Sequence, residues 1–265
     1  MNAPAKLSEI SKTWPESNEG LVVPYDVFTD KRYYDIEQEI IFQGDAWSFI
    51  GLDAELPNNG DYKTTYIGES PVLITRDNTG HINVMQNRCA HRGALICRER
   101  RGNAKRLQCV YHQWAYDLKG QLKGVPFRAG IEGKGGLPAN FDLNAHGLTL
   151  LRNETLNGLI FATFSDTVAP LTEYLGPVVI SSIERIFNRP IEILGDQRQY
   201  VHGNWKLYAE NTRDPYHARM KLLFARSPPA KRRCQELRQM QPKNKFAAVF
   251  ASPNYASAIS DQTLP

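Results

Sequence analysis

Two short segments limit what this 265-residue chain can fold into: Asn87-Arg-Cys-Ala-His-Arg-Gly93 and Cys109-Val-Tyr-His-Gln-Trp114. Each offers one thiol and one imidazole, Cys89 with His91 and Cys109 with His112, and 17 residues separate the two pairs. Such a pattern builds a metal site, so the fold must bring two loops tip to tip. Thiolates and imidazoles suit zinc or iron, and donor type alone allows a mononuclear site or a mixed-ligand cluster. Spacing separates the two. A structural zinc site brings its cysteines as a close pair, about two to four residues apart, whereas here each half supplies one of each donor.

That arrangement fits a Rieske 2Fe–2S centre, with both cysteines on one iron and both histidines on the other. A zinc-stabilised interaction protein is the competing reading. Cys97 and Cys234 fall outside the pattern and read as free thiols. With two of four cysteines assigned to the metal, a disulfide framework is not indicated.

Composition narrows the class. The chain is 42% hydrophobic and 23% charged, an ordinary balance for a globular protein. No run approaches the roughly 18 apolar residues of a membrane span, and Met1-Asn-Ala-Pro-Ala-Lys-Leu-Ser lacks the apolar core of a secretory signal. A cytoplasmic location is expected, where thiols stay reduced. The net charge of +4 is unevenly placed: residues 218–265 carry nine Lys/Arg against two Asp/Glu, and the preceding 217 residues carry 23 against 26. The body is mildly acidic, and the basic tail lacks the interleaved aromatics of a single-strand stacking platform. Nucleic-acid binding is therefore not expected.

Periodicity divides the chain into four parts: residues 1–44, a polar segment ending in a helix; 45–166, a β-rich unit carrying the metal loops; 167–218, the start of a further domain; and 219–265, an atypical basic tail. Tyr33, Ile36, Ile40 and Ile41 recur at helical spacing, with Gly44 as a stop. Short strand-like runs follow at Trp47 to Leu52, Tyr62 to Ile67, Pro71 to Thr75 and His81 to Met85. Turn signals stand at Asp77-Asn-Thr-Gly80 and Asp117-Leu-Lys-Gly120, and Asn157-Gly158 is a strong hairpin signal within 147–165. Leu171 to Phe187 reads as a helix broken at Gly176-Pro177, and Ile191 to Val201 as a strand. The Gly130 to Gly136 stretch lacks the strand and spaced third glycine of a nucleotide fingerprint. Electrons for the metal centre are therefore expected from another protein.

A second constellation lies at Asn204-Trp-Lys-Leu-Tyr-Ala-Glu-Asn-Thr-Arg-Asp-Pro-Tyr-His217, where Glu210, Asn211, Asp214 and His217 recur every three or four residues and share a helix face. With the two metal loops, in this order, it resembles the large subunits of Rieske non-haem iron ring-hydroxylating oxygenases. Asn87 to Ala94, Val125-Pro-Phe-Arg128, Gly136 to Asp142 and Asn204-Trp-Lys-Leu207 look like the branch acting on aromatic carboxylates such as terephthalate, salicylate or anthranilate. The resemblance implies an α+β chain: an all-β Rieske domain followed by part of a catalytic domain. It implies electrons passing from a reductase, with or without a ferredoxin, to the cluster and then to a mononuclear Fe(II) for O2-dependent hydroxylation. His217 matches one iron ligand, Asn211 stands in the same motif, and Asp214 matches the acid that links the Rieske histidine of one subunit to the iron of the next. A head-to-tail homotrimer, with a small β subunit in some members, goes with that link.

The pattern breaks after His217. The second iron-binding histidine is expected four or five residues on, at positions held by Leu222 and Leu223, and the later acids are Glu236 and Asp261. Composition changes abruptly at the same point, as a frameshift near codon 219 would produce. The expectation is a chain that holds the Rieske cluster without a complete mononuclear iron site, with a Rieske-type electron-transfer protein as the alternative function.

Overall fold

The computed structural model describes residues 23–196 and 201–213. Their packing divides them into two units, one of Asp35–Ile193 and one formed by residues 23–34 and 194–213. Among the described residues no helix is long and apolar enough to cross a membrane.

The helical elements begin with α1 (Asp26–Thr29) and α2 (Lys31–Glu37), which runs on into a π-helical turn, Gln38–Phe42. Tyr33 and Ile36 are buried, as their spacing predicts, but Ile41 is 38% exposed. The π turn is the reason. Its extra residue per turn shifts the phase of the apolar stripe, so Phe42 rather than Ile41 packs on the core.

Among the described residues ten short strands form three antiparallel sheets. β1 (Ser48–Leu52), β10 (Leu159–Thr163) and β9 (Arg152–Leu156) make the first, in the order β1-β10-β9. The second, in the order β4-β3-β2-β5, joins β4 (Ile82–Gln86), β3 (Ser70–Arg76), β2 (Asp61–Ile67) and β5 (Arg101–Asn103). The third is small: β6 (Leu107–Gln108), β7 (Ala115–Tyr116) and β8 (Leu122–Gly124). Asn157 and Gly158 join β9 to β10 with φ of 48° and 83°, the positive values a type I′ hairpin turn needs.

β3 organises the core because it is covered on both faces. Val72 and Ile74 point to one side, where they meet Ile50, Ile67, Val84 and Ile160 between the first two sheets. Leu73 points to the other, against Met85, Leu107, Tyr116 and both Cys89 and Cys109. A strand buried on both faces reads as a continuous apolar run instead of an alternating one, and Pro71-Val-Leu-Ile-Thr75 does so. Thr75 is fully buried and its hydroxyl donates to the Leu118 carbonyl at 2.6 Å, tying the central sheet to the turn beside the metal loops. At the edge of the first two sheets, the buried Glu55 carboxylate pairs with Lys63 and with Arg101 at 2.6 Å.

The outer face of the β1-β10-β9 sheet is closed by α3 (Leu171–Ile186), through Trp47, Phe161, Leu171 and Phe187. Gly176, at φ 70° and ψ 166°, breaks α3 where Gly176-Pro177 predicts an interruption. In the other unit, α4 (Trp205–Arg213) begins after Asn204, whose side chain accepts from the Lys206 N–H at 3.1 Å and donates to the Phe28 carbonyl at 3.1 Å. The strand expected at Ile191 to Val201 is absent from the described part of that range, residues 191–196 and 201. Among the described residues no strand pairs with this segment, and Ile191 and Ile193 instead pack on the cluster that includes Trp47, Phe161, Leu171 and Phe187.

Candidate metal centre

The two metal loops have the same backbone hydrogen bonds. In the first, the Cys89 N–H donates to the Ala94 carbonyl and the Gly93 N–H to the Cys89 carbonyl, both at 2.8 Å. In the second, the Cys109 N–H donates to the Trp114 carbonyl and the Gln113 N–H to the Cys109 carbonyl, both at 2.9 Å. The fourth residue after each cysteine has positive φ, Gly93 at 70° and Gln113 at 58°. Each loop thus folds back so that its cysteine lies at the base and its histidine at the tip.

The donors separate accordingly. Cys89 and Cys109 are 3% and 1% exposed, whereas His91 and His112 are on the surface. The two imidazoles face each other, Nδ1 to Nδ1 at 3.1 Å. For metal–nitrogen bonds of about 2.1 Å, that spacing corresponds to an angle of roughly 95° at one shared ion, so the pair fits a single metal. Among the described residues no group of three or more His, Cys, Asp or Glu donors converges on one point. A 2Fe–2S cluster asks instead for two pairs on two irons, and a buried sulfur pair under an exposed nitrogen pair fits it.

Neighbouring groups fix both pairs. The hydroxyl of Tyr116, on β7 and fully buried, lies 3.2 Å from Cys89 Sγ and accepts from the Ala90 N–H at 3.2 Å. Burial first, then the hydrogen bond with Cys89, pushes the phenol above its ordinary pKa, so it remains a donor. Asn87 is buried just before the first loop. Its Oδ1 accepts from the N–H groups of Ile96 and Cys97 at 3.1 and 3.0 Å, and its Nδ2 donates to the Cys97 carbonyl at 2.7 Å. Desolvation, followed by electrostatic repulsion from the neighbouring His112 and Arg92 side chains, holds the His91 imidazole below its ordinary value. A neutral imidazole is the form that binds metal.

Trp114 packs in the core beneath the loops, and its ring lies against His91. Tyr111 leans on His112 but is 60% exposed. Cys97 is partly buried and unbridged, and burial pushes its thiol up to about 12, which leaves it inert at neutral pH. Tyr116 and Asn87 were not singled out by sequence reasoning. A polar residue two before the first cysteine and a tyrosine seven after the second are signals only once the loops are seen to stack.

The other expected site residues fall on either side of Arg213. Glu210 and Asn211 are exposed on α4. Asp214, His217, Leu222, Leu223, Cys234, Glu236, Asp261 and the rest of the basic tail lie outside the described residues.

Comparison with known proteins was made by sequence and by structure. Residues 46–153 match the family model of the Rieske [2Fe-2S] domain. The chain is 55% identical over 207 residues to the anthranilate 1,2-dioxygenase large subunit of Burkholderia cepacia, an alignment covering 78% of this chain and 49% of that protein. It is 47% identical over 225 residues to the large oxygenase component of salicylate 5-hydroxylase from a Ralstonia species, covering 82% and 53%. In structure it resembles naphthalene 1,2-dioxygenase from a Rhodococcus species with a TM-score of 0.68 and 29% identity, over 86% of this chain and 51% of that one. The chain thus spans about half the length of the curated relatives it matches.

Proposed function

We propose, from the premise that this chain belongs to the large-subunit family of Rieske aromatic-ring dioxygenases, that Cys89 and Cys109 hold one iron of a 2Fe–2S cluster and His91 and His112 the other. The observation that carries the reading is the meeting of the two Nδ1 atoms at 3.1 Å above two buried thiols. When bound, such a cluster supplies one-electron transfer at a potential raised by neutral imidazoles in place of thiolates. The protein's own groups set the rest. Tyr116 donates to the Cys89 sulfur, the Leu73 and Met85 side chains keep water from the thiolates, and the exposed histidines form the face through which electrons enter and leave.

The cluster serves, in this reading, the O2-dependent hydroxylation of an aromatic carboxylate by a larger assembly. The support is the identity to the anthranilate and salicylate enzymes, whose names give their substrates. A reductase, directly or through a ferredoxin, supplies the electrons, and a head-to-tail homotrimer brings one copy's cluster to the next copy's iron through Asp214. His217 is one ligand of that mononuclear iron. The leucines at 222 and 223, where the family pattern has a second histidine, favour a chain that keeps the cluster and not the second iron. We place the protein in the cytoplasm, where Cys89 and Cys109 stay reduced.

Metal analysis of anaerobically purified protein tests these statements together. The expected result is two irons and two acid-labile sulfides per chain, with visible absorption lost in Cys89→Ser. Zinc without sulfide overturns the cluster, and a third iron with turnover of anthranilate or salicylate overturns the incomplete iron site. Iron and sulfide without any hydroxylation in the presence of a reductase favours the pure electron-transfer reading.

A further inference from the structure

The two histidines at the loop tips are held in different ways. His91 lies almost parallel to the Trp114 ring, with centroids 4.8 Å apart and an interplanar angle of 11°. Trp114 is 6% exposed and is clamped in turn. Phe141 and His146 both meet it edge-on with centroids 6.0 Å away, and they stack on each other at 4.3 Å. His146 is fixed by its Nδ1–H, which donates to the Asp142 carbonyl at 2.8 Å, and the carbonyl of Phe141 accepts from Arg128 at 2.9 Å. His112, by contrast, meets the His91 ring edge-on at 4.6 Å and the tilted ring of Tyr111, 3.9 Å away at 37° and 60% exposed, and no buried ring lies along its face among the described residues.

Metal-bound histidines are usually oriented by a hydrogen bond from the nitrogen that does not bind. Among the described residues none bonds His91 Nε2. The torsion that turns an imidazole about its Cβ–Cγ bond is broad and only weakly self-restrained, so the direction of the Nδ1 lone pair must be set by packing. The flat face of Trp114 is the surface against which that ring can lie.

We propose that Trp114 is a positioning residue for His91: supplied by the second metal loop and braced by Phe141 and His146, it sets the rotation of the first loop's imidazole and so the geometry of its bond to the metal. This rests on the reading of His91 as a cluster ligand. It goes beyond that reading in assigning the rotation of one imidazole to a buried ring of the opposite loop.

The test uses the full chain with Trp114→Leu, Trp114→Phe, Phe141→Leu and Tyr111→Leu, each assayed for iron and sulfide, reduced with dithionite and examined by electron paramagnetic resonance. The expected result is normal loading with shifted or broadened resonances in Trp114→Leu, recovery in Trp114→Phe, partial broadening in Phe141→Leu, and a wild-type spectrum in Tyr111→Leu. A loaded Trp114→Leu protein with the wild-type line shape overturns the proposal, as does a larger change in Tyr111→Leu. Should Trp114→Leu fail to load, Phe141→Leu decides: broadening supports the proposal and an unchanged spectrum ends it. Absence of a 2Fe–2S signal from the wild-type chain instead removes the ligand assignment itself, so the two failures are distinct.

Discussion

Removing one oxygen atom, in Tyr116→Phe, should lower the potential of the cluster without unloading it. The hydroxyl is buried and lies 3.2 Å from Cys89 Sγ. A hydrogen bond to a charged group contributes about 1.5–3 kcal/mol, but only the part that differs between oxidation states moves a potential. Reduction adds negative charge to the sulfurs, so the bond is stronger in the reduced state. Taking the difference as about 1 kcal/mol, and about 59 mV for each 1.4 kcal/mol in a one-electron couple, the variant should sit roughly 40 mV lower. The ring remains to fill the core and the Ala90 N–H loses its acceptor, so a modest loss of stability accompanies the shift. Spectroelectrochemical titration of wild type and variant at equal iron content measures it. An unchanged or raised potential would show that the hydroxyl does not donate to the sulfur.

Three further outcomes follow from groups away from the irons. Asn87→Leu removes three buried hydrogen bonds and leaves the Ile96 and Cys97 amides unpaired; a loss of about 3 kcal/mol is expected in chemical denaturation, with iron content reduced. Glu55→Gln strips the charge from a carboxylate that serves both Lys63 and Arg101; breaking such a buried group costs about 3 kcal/mol, and a thermal melt within a degree of wild type would refute the assignment. Burial raises the Asp77 carboxyl, but hydrogen bonds from Thr79, Asn83 and the His81 N–H outweigh it and hold the group well below the usual range. A depressed folded-state pKa stabilises above the unfolded value near about 4 and is lost as pH falls through the folded one. Stability should therefore be flat in this respect at neutral pH and fall in acid, and Asp77→Asn should fall less steeply.

The metal loops were legible because chemistry and spacing coincide there: four donors in two matched groups have few other uses. The principal strands were legible too, since Pro71 to Thr75 and Leu159 to Thr163 are apolar runs between turn residues, and Asn157-Gly158 fixes its hairpin by backbone conformation alone. β5, β6, β7 and β8 were missed as strands because two or three residues carry no period, although Asp117-Leu-Lys-Gly120 marks the turn between β7 and β8. The phase slip that turns Ile41 outward was hidden as well, because a π turn leaves no mark on an apolar stripe. Ile191 to Val201 misled for the opposite reason. An alternating pattern says that one side of a segment is buried, and here Ile191 and Ile193 gain their burial from side chains of a hydrophobic cluster and not from pairing with a strand. The hydroxyl of Tyr116 and the amide of Asn87 act across loops, and no local pattern announces such a contact.

The shared turn geometry of the two metal loops also sets a polarity. Because Cys89 and Cys109 lie at the base and His91 and His112 at the tip, anything held between the loops is insulated on its sulfur side and open on its nitrogen side. Tunnelling falls off steeply with distance, so a cluster held there would behave as an electrode bared on a single face. Whichever protein approaches that face exchanges charge with it, and one that docks anywhere else on the domain meets an insulator.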